Sequence, residues 1–203
     1  MSHSPATPGQ EQLGPWIESF DDRADALLEQ LRGNPIADRL FATASHVGDF
    51  SLVWHAINIV RGLVRGRPDQ MLALAVSLGV ESLVVNQGVK RLFRRQRPTT
   101  GGDERLPVRT PSTSSFPSGH ASSAVYAATL LTAWERSRRS GAARGSSAGT
   151  SAWIMLWWSV AAVVGVSRAY VRIHHASDVV GGAVVGRVLG LAAVRAIRRA
   201  GIS

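Results

Sequence analysis

Two adjacent histidines stand in the stretch SRAYVRIHHASD (167–178), with Arg168 and Arg172 before them and Asp178 after. On a helix His174 and Asp178 lie at i, i+4, so the carboxylate can accept from one ring nitrogen and leave the other free and basic. That is how a histidine becomes a nucleophile or a base. His175, at i+3, can make a poorer version of the contact, and spacing alone does not separate the two. A second stretch, KRLFRRQRP (90–98), puts Lys90, Arg94 and Arg97 on one side of a helix that Pro98 ends. A third, SSFPSGHASS (114–123), predicts a helix start near Ser118 and Gly119. Free backbone N–H groups and the positive dipole end there favour an anion, with His120 beside it in the first turn.

Each cluster has an ordinary reading alone: a basic helix end among lipid headgroups, a helix cap, a charged loop. Together they point to one chemistry. His120, His174, His175 and Asp178 include common metal ligands, but Lys90, Arg97 and Arg168 in the same pocket would repel a divalent cation. They would instead embrace a phosphoryl group, whose oxygens are where positive charge helps transfer. Neither a metal nor another cofactor is expected.

The elements that must position these residues read as helices. Residues 1–14 are rich in Pro, Ser, Gly and Gln and predict a disordered tail. Over 15–33 apolar residues from Trp16 to Leu31 recur at helical spacing between carboxylates, an amphipathic helix. From 34 to 203 a membrane core is expected, because 50–60, 71–89, 119–134, 145–167 and 179–197 are nearly free of charge. Several approach the roughly 20 residues that cross a bilayer. No strand-like alternation occurs. The fold expected is an all-α, membrane-embedded bundle of about five to six helices with an N-terminal amphipathic helix, forming one domain from residue 15 onward. Within the apolar runs, Glu81 is either functional or the partner of an arginine. Trp153, Trp157 and Trp158 mark lipid contact or the interface. Arg172 and His175 are expected at the pocket or its rim.

Lys and Arg number 23 against 14 Asp and Glu, a net charge of +9, so an anionic partner is implied. The absence of cysteine excludes disulfides and thiolate chemistry. Basic clusters at Arg61–Arg65–Arg67, Arg136–Arg138–Arg139–Arg144 and Arg195–Arg198–Arg199 fall on one face if the helices alternate in direction. The positive-inside rule makes that face cytoplasmic and puts the motif face outside. A nucleic-acid partner does not fit, because the basic residues lie in separate connections and the apolar spans go unexplained.

In order along the chain, K-x6-RP (Lys90 to Pro98), PSGH (Pro117 to His120) and SR-x5-H-x3-D (Ser167 to Asp178) resemble the three-part signature of the type-2 phosphatidic acid phosphatase superfamily. That superfamily covers lipid phosphate phosphatases, bacterial polyprenyl diphosphate phosphatases, some soluble acid phosphatases and the vanadium haloperoxidases. Every signature position is filled. The resemblance implies that His174 is the nucleophile, Asp178 its orienting carboxylate and His120 the general acid. Lys90, Arg97, Arg168, Ser118 and Gly119 become the phosphate cradle. It is the count from Ser167 and Arg168 that selects His174 over His175.

The activity implied is a multi-pass enzyme of the cell membrane that hydrolyses a lipid phosphate or diphosphate through a phosphohistidine. The candidates are phosphatidate, phosphatidylglycerol phosphate, a polyprenyl diphosphate and a polyprenyl-linked sugar phosphate, and the other partners are membrane lipids. The Ala/Arg-rich composition suits a GC-rich bacterium. Two alternatives stand beside this reading. A soluble acid phosphatase or vanadate-dependent haloperoxidase is opposed by the charge-free spans and the lack of an apolar leader. A non-catalytic lipid-phosphate binder or transporter would need the cations but neither a nucleophile nor a proton donor.

Overall fold

The protein is seen in a computed structural model that describes residues 13–99, 103, 105, 106, 108, 109, 113–141 and 147–202. The tail expected over 1–14 lies outside the described residues except for Leu13 and Gly14. The architecture is all-α: α1 (Pro15–Glu29), α2 (Pro35–Gly48), α3 (Leu52–Arg65), α4 (Pro68–Leu83), α5 (Gly119–Gly141), α6 (Ser147–Tyr170) and α7 (Ala176–Arg199). The five apolar runs become α3 to α7, and the amphipathic run becomes α1.

The sequence reading passed over α2, whose charges interrupt any apolar run, although its start is signalled locally. The Asn34 side chain accepts from the Ile36 and Ala37 N–H groups at 2.9 and 3.2 Å, and Pro35 fills the first helical position, where no N–H is needed. The basic helix expected over 90–98 is also different. After α4 the chain passes through one π-helical turn (Val84–Gly88) and a 3-10 turn (Val89–Leu92), leaves the helix at the extended Phe93 and runs without regular structure to Arg97. The residue before a proline is pushed out of the helical region, which suits a non-helical run into Pro98. Lys90, Arg94 and Arg97 therefore do not share a helix face, and Arg94 is exposed.

Helix α5 runs through the middle, packed chiefly on α6 and α7. Its Ala121, Ala124, Ala127, Leu130 and Leu131 are buried in the core with Trp54, Leu74, Leu78 and Val164. Ser122, Thr129, Thr132 and Glu135 are buried there too. Protein rather than lipid encloses this helix, so its polar side chains find partners: Ser122 donates to Glu81, and Trp158 donates to Thr132 Oγ1 at 3.1 Å. Glu81 is thus paired with a hydroxyl and not, as one expectation had it, with an arginine. Helix α7 meets α5 through buried Gly182, Gly186 and Gly190, one turn apart. A Cβ on Gly182 would collide with the Ser118 carbonyl, and one on Gly186 with that of Ser122, so only glycine permits this approach.

The segments Pro68–Leu92, Gly149–Tyr170 and Ala176–Arg199 are long and apolar enough to cross a membrane. Their outward faces carry apolar stripes at i, i+4 spacing: Leu72, Val76 and Val80 on α4, and Val180, Val184 and Val188 on α7, all exposed. Water would penalise such stripes and hydrocarbon would not. The 14 residues of α3 rise only about 21 Å, short of a bilayer core of about 30 Å.

Alternation of α3 to α7 gathers residues 48–52, 84–99, 113–120 and 170–178 at one end of the bundle. The opposite end receives the 65–68 connection, the C-terminal ends of α5 and α7 and the start of α6. All three motifs therefore arrive at the same end, under α1 and α2.

Candidate active site

His174 lies in the connection between α6 and α7 and is 2% exposed. Because α7 begins only at Ala176, His174 is not on the helix, and the expected i, i+4 contact changes character. His174 Nδ1 is 3.6 Å from Asp178 Oδ2 and 3.4 Å from Ser115 Oγ, while the Ser115 hydroxyl donates to Asp178 Oδ2 at 2.5 Å. Asp178 folds back as an N-terminal cap and accepts the His175 N–H at 2.8 Å, and its other oxygen accepts from Arg95 Nη1 at 2.6 Å. On the far side of the ring, His174 Nε2 is 3.2 Å from Arg97 Nη1. Burial pushes His174 down to about 3; the Asp178 carboxylate pulls the other way and the Arg97 charge adds to the drop. The ring is therefore neutral, and with acceptors at Nδ1 its lone pair is on Nε2, facing Arg97.

His120 stands in the first turn of α5, its Nε2 3.0 Å from Asp49 Oδ1. Burial is the largest single effect and would raise Asp49, but the His120 hydrogen bond and the His120, Arg168 and His46 charges together outweigh it, and Asp49 is held below the usual carboxylate range. Asp49 owes its place to a tight turn in which Phe50 and Ser51 adopt φ of 51° and 58°. Left-handed backbone costs a non-glycine residue about 1–3 kcal/mol.

The cations close the ring. Arg97 donates from Nη1 to the Ile173 carbonyl at 3.0 Å and from Nη2 to the Thr113 carbonyl at 3.1 Å, and Lys90 Nζ donates to Thr113 Oγ1 at 3.3 Å. Arg168, 1% exposed, donates from Nη1 to the Ser45 hydroxyl, while its buried Nε and Nη2 have no hydrogen-bond partner among the described residues. The charges of Lys90, Arg97 and Arg168 are near enough to repel one another, a cost that an anion between them removes. A cavity of about 610 Å³ opens here, lined by Lys90, Gly119, His120 and His174 together with Asp49 and Glu81. Gly119 begins α5 on its wall, whereas the Ser118 N–H is already donated to the Asp178 carbonyl at 2.9 Å.

Two expectations at the rim change. Arg172 turns away to Asp25, Glu29 and Asp103, at 2.9, 2.9 and 3.5 Å, so it belongs to an ion-pair cluster under α1 and not to the cavity. His175 lines a second, smaller cavity of about 180 Å³ with Asp21, Asp22 and Asp25 of α1, on which Arg172 and His174 also border. Asp49, Ser115 and Arg95 join the site without having been foreseen. Ser115 stood inside a quoted motif, but Asp49 is 71 positions before His120 and carries no local signal.

Known proteins match the chain in sequence and in fold. The profile of the PAP2 superfamily matches residues 70–202, a segment that holds all three motifs. A decaprenylphosphoryl-5-phosphoribose phosphatase of Mycobacterium tuberculosis is 30% identical over 156 residues, covering 74% of this chain and 77% of that protein. Two solved structures share the fold. The transmembrane PAP2-type phosphatidylglycerolphosphate phosphatase of Bacillus subtilis superposes with a TM-score of 0.66 at 23% identity, over 91% of this chain and 87% of its own. Aquifex aeolicus LpxE does so with a TM-score of 0.61 at 22% identity, over 87% and 95%.

Proposed function

The chain belongs to the PAP2 superfamily, and from that premise we propose that it is a membrane phosphatase removing the terminal phosphate of a polyprenyl-linked sugar phosphate. The observation that carries the reading is a cavity lined by His174, by His120 with its carboxylate partner Asp49, and by Lys90, with Arg97 against the His174 ring and the Arg168 charge close behind. The terminal phosphoryl group seats among Lys90, Arg97 and Arg168, with the first-turn N–H groups at Gly119 completing the cradle. His174 attacks in line through Nε2, and Asp178 stabilises the imidazolium, directly and through Ser115. His120 protonates the departing oxygen; once neutral it activates the water that releases phosphate from the phosphohistidine.

Two observations favour a sugar phosphate among the lipid candidates. The 30%-identical relative is named for such a substrate. The cavity is lined by Asp49, Ser51, His55, Ser82, Asn86 and Gln87, which can meet sugar hydroxyls, beside the apolar Phe50, Ala75, Leu78 and Val85, which suit a lipid chain. The exposed apolar stripes of α4 and α7 oppose the soluble alternative. The catalytic unit runs from residue 15 to the end of the chain, with its active face outside the cell membrane.

The test is phosphate release by detergent-purified protein from phosphatidate, phosphatidylglycerol phosphate, a polyprenyl diphosphate and a polyprenyl-linked phosphoribose, with chelator present. The last should give the highest kcat/KM. His174→Ala should abolish turnover, His120→Ala should slow it about 10²- to 10⁴-fold, and His175→Ala should retain it. Loss of activity with chelator, or survival of His174→Ala, would overturn the mechanism.

A further inference from the structure

Behind Asp178 stands a buried group that neither the three motifs nor the mechanism above uses. Arg95 is 3% exposed, although it lies in a run of arginines whose neighbour Arg94 is exposed. Its Nη1 donates to Asp178 Oδ1 and to Ser177 Oγ, both at 2.6 Å, and its Nη2 donates to Asp21 Oδ2 at 2.6 Å. Asp21, the buried residue of α1, also accepts the Ser177 N–H at 2.8 Å and the Ser177 hydroxyl at 2.7 Å. The backbone of Arg95 accepts from the Ser115 N–H at 2.9 Å, so the residue that fixes one oxygen of Asp178 also fixes the serine on the other.

We propose that Arg95, anchored by Asp21, is the positioning residue that holds Asp178 for its work on His174. The proposal rests on the phosphatase reading given above. Two physical needs explain the pairing. A buried carboxylate that must steady an imidazolium has to be held in one rotamer, and a two-sided grip by Arg95 and Ser115 does that. A single arginine would also cancel the charge of Asp178 and leave nothing to attract a charged ring. With Asp21 added, the trio of two carboxylates and one guanidinium keeps one net negative charge beside His174. Asp21 lies on α1, before the 70–202 segment that matches the family, so this chain builds part of its active site from outside the shared segment.

The experiment compares Asp21→Asn, Arg95→Met, Arg95→Lys and the Asp21→Asn/Arg95→Met double variant with the parent protein. On the lipid phosphate that the parent turns over, kcat should fall roughly 10- to 100-fold in both single removals. KM should stay within about threefold, and so should the Kd for inorganic phosphate by calorimetry, because the cation cluster is untouched. Arg95→Lys should recover part of the loss. The double variant should be no slower than Arg95→Met alone, since the hold of Asp21 on Asp178 runs through Arg95. Unchanged kcat in Asp21→Asn, additive losses, or a change confined to KM would overturn the proposal. Where Arg95→Met does not fold, the nearly isosteric Asp21→Asn decides. Should the parent hydrolyse none of the lipid phosphates, the phosphatase reading fails on its own. Nitrogen-15 histidine spectra then decide the positioning: both single variants must shift the His174 tautomer away from the Nδ1–H form, and an unchanged tautomer would overturn it.

Discussion

A histidine kept neutral inside a fold carries a signature in stability as well as in activity. In the unfolded chain His174 takes a proton near pH 6.5, whereas burial holds it at about 3 in the folded protein. Above about 6.5 both states are neutral and the fold keeps its full stability. As the pH falls from there toward 3, the unfolded chain binds a proton that the folded one refuses, so stability is lost. The melting midpoint should therefore drop over that window, and His174→Asn should drop less; parallel curves for the two proteins would show that His174 is not held neutral by burial. The proposed nucleophile was legible because its motif is local: Arg168, His174 and Asp178 lie within eleven positions of one another. The way it is held was not. Ser115 reaches between His174 and Asp178 from 59 positions away, and Asp49 meets His120 from another element altogether. Contacts made only by tertiary folding leave no period and no spacing to read.

At the scale of elements, hydrophobic runs marked α3 to α7, since charge is excluded both from lipid and from a packed core. The same rule could not tell those two environments apart. Helix α5 is enclosed by protein, while α4 and α7 present apolar stripes outward, yet all three read alike as charge-poor. The signal that separates them is on α7, where Gly182, Gly186 and Gly190 repeat every fourth residue and let α5 approach. Gly186→Ala puts a methyl group into the Ser122 carbonyl and should cost about 3 kcal/mol or more, because backbone cannot step aside as a side chain can. Gly79→Ala, where a Cβ meets nothing within 4 Å, should instead gain up to about 1 kcal/mol from helix propensity. Thermal unfolding in one detergent compares the two, and equal shifts would mean that the α5–α7 approach does not depend on glycine.

Over the whole molecule, the alternating helices divide charge from chemistry. The motifs and the cavity sit at one end beneath α1 and α2, while Arg61, Arg65, Arg138 and Arg198 sit at the other. Part of that basic end is structural: Arg61 is buried and bonded to Glu135 at 3.2 Å and Gln70 at 2.7 Å, so its charge is already spoken for. Arg138, by contrast, is more than half exposed even though it approaches Glu135, and it is free to meet a lipid surface. The positive-inside rule counts such residues, and the orientation we propose from it has the basic end in the cytoplasm and the cavity outside. A substrate with a long polyprenyl tail would then lie in the outer leaflet, with its sugar phosphate reaching the histidines between α4 and α5. Because the chain has no cysteine, single cysteines test this without background. Arg23→Cys on the exposed side of α1 should react with a membrane-impermeant maleimide on intact cells, and Arg138→Cys only after permeabilisation. The reverse pattern would place the active face in the cytoplasm and confine the enzyme to substrates of the inner leaflet.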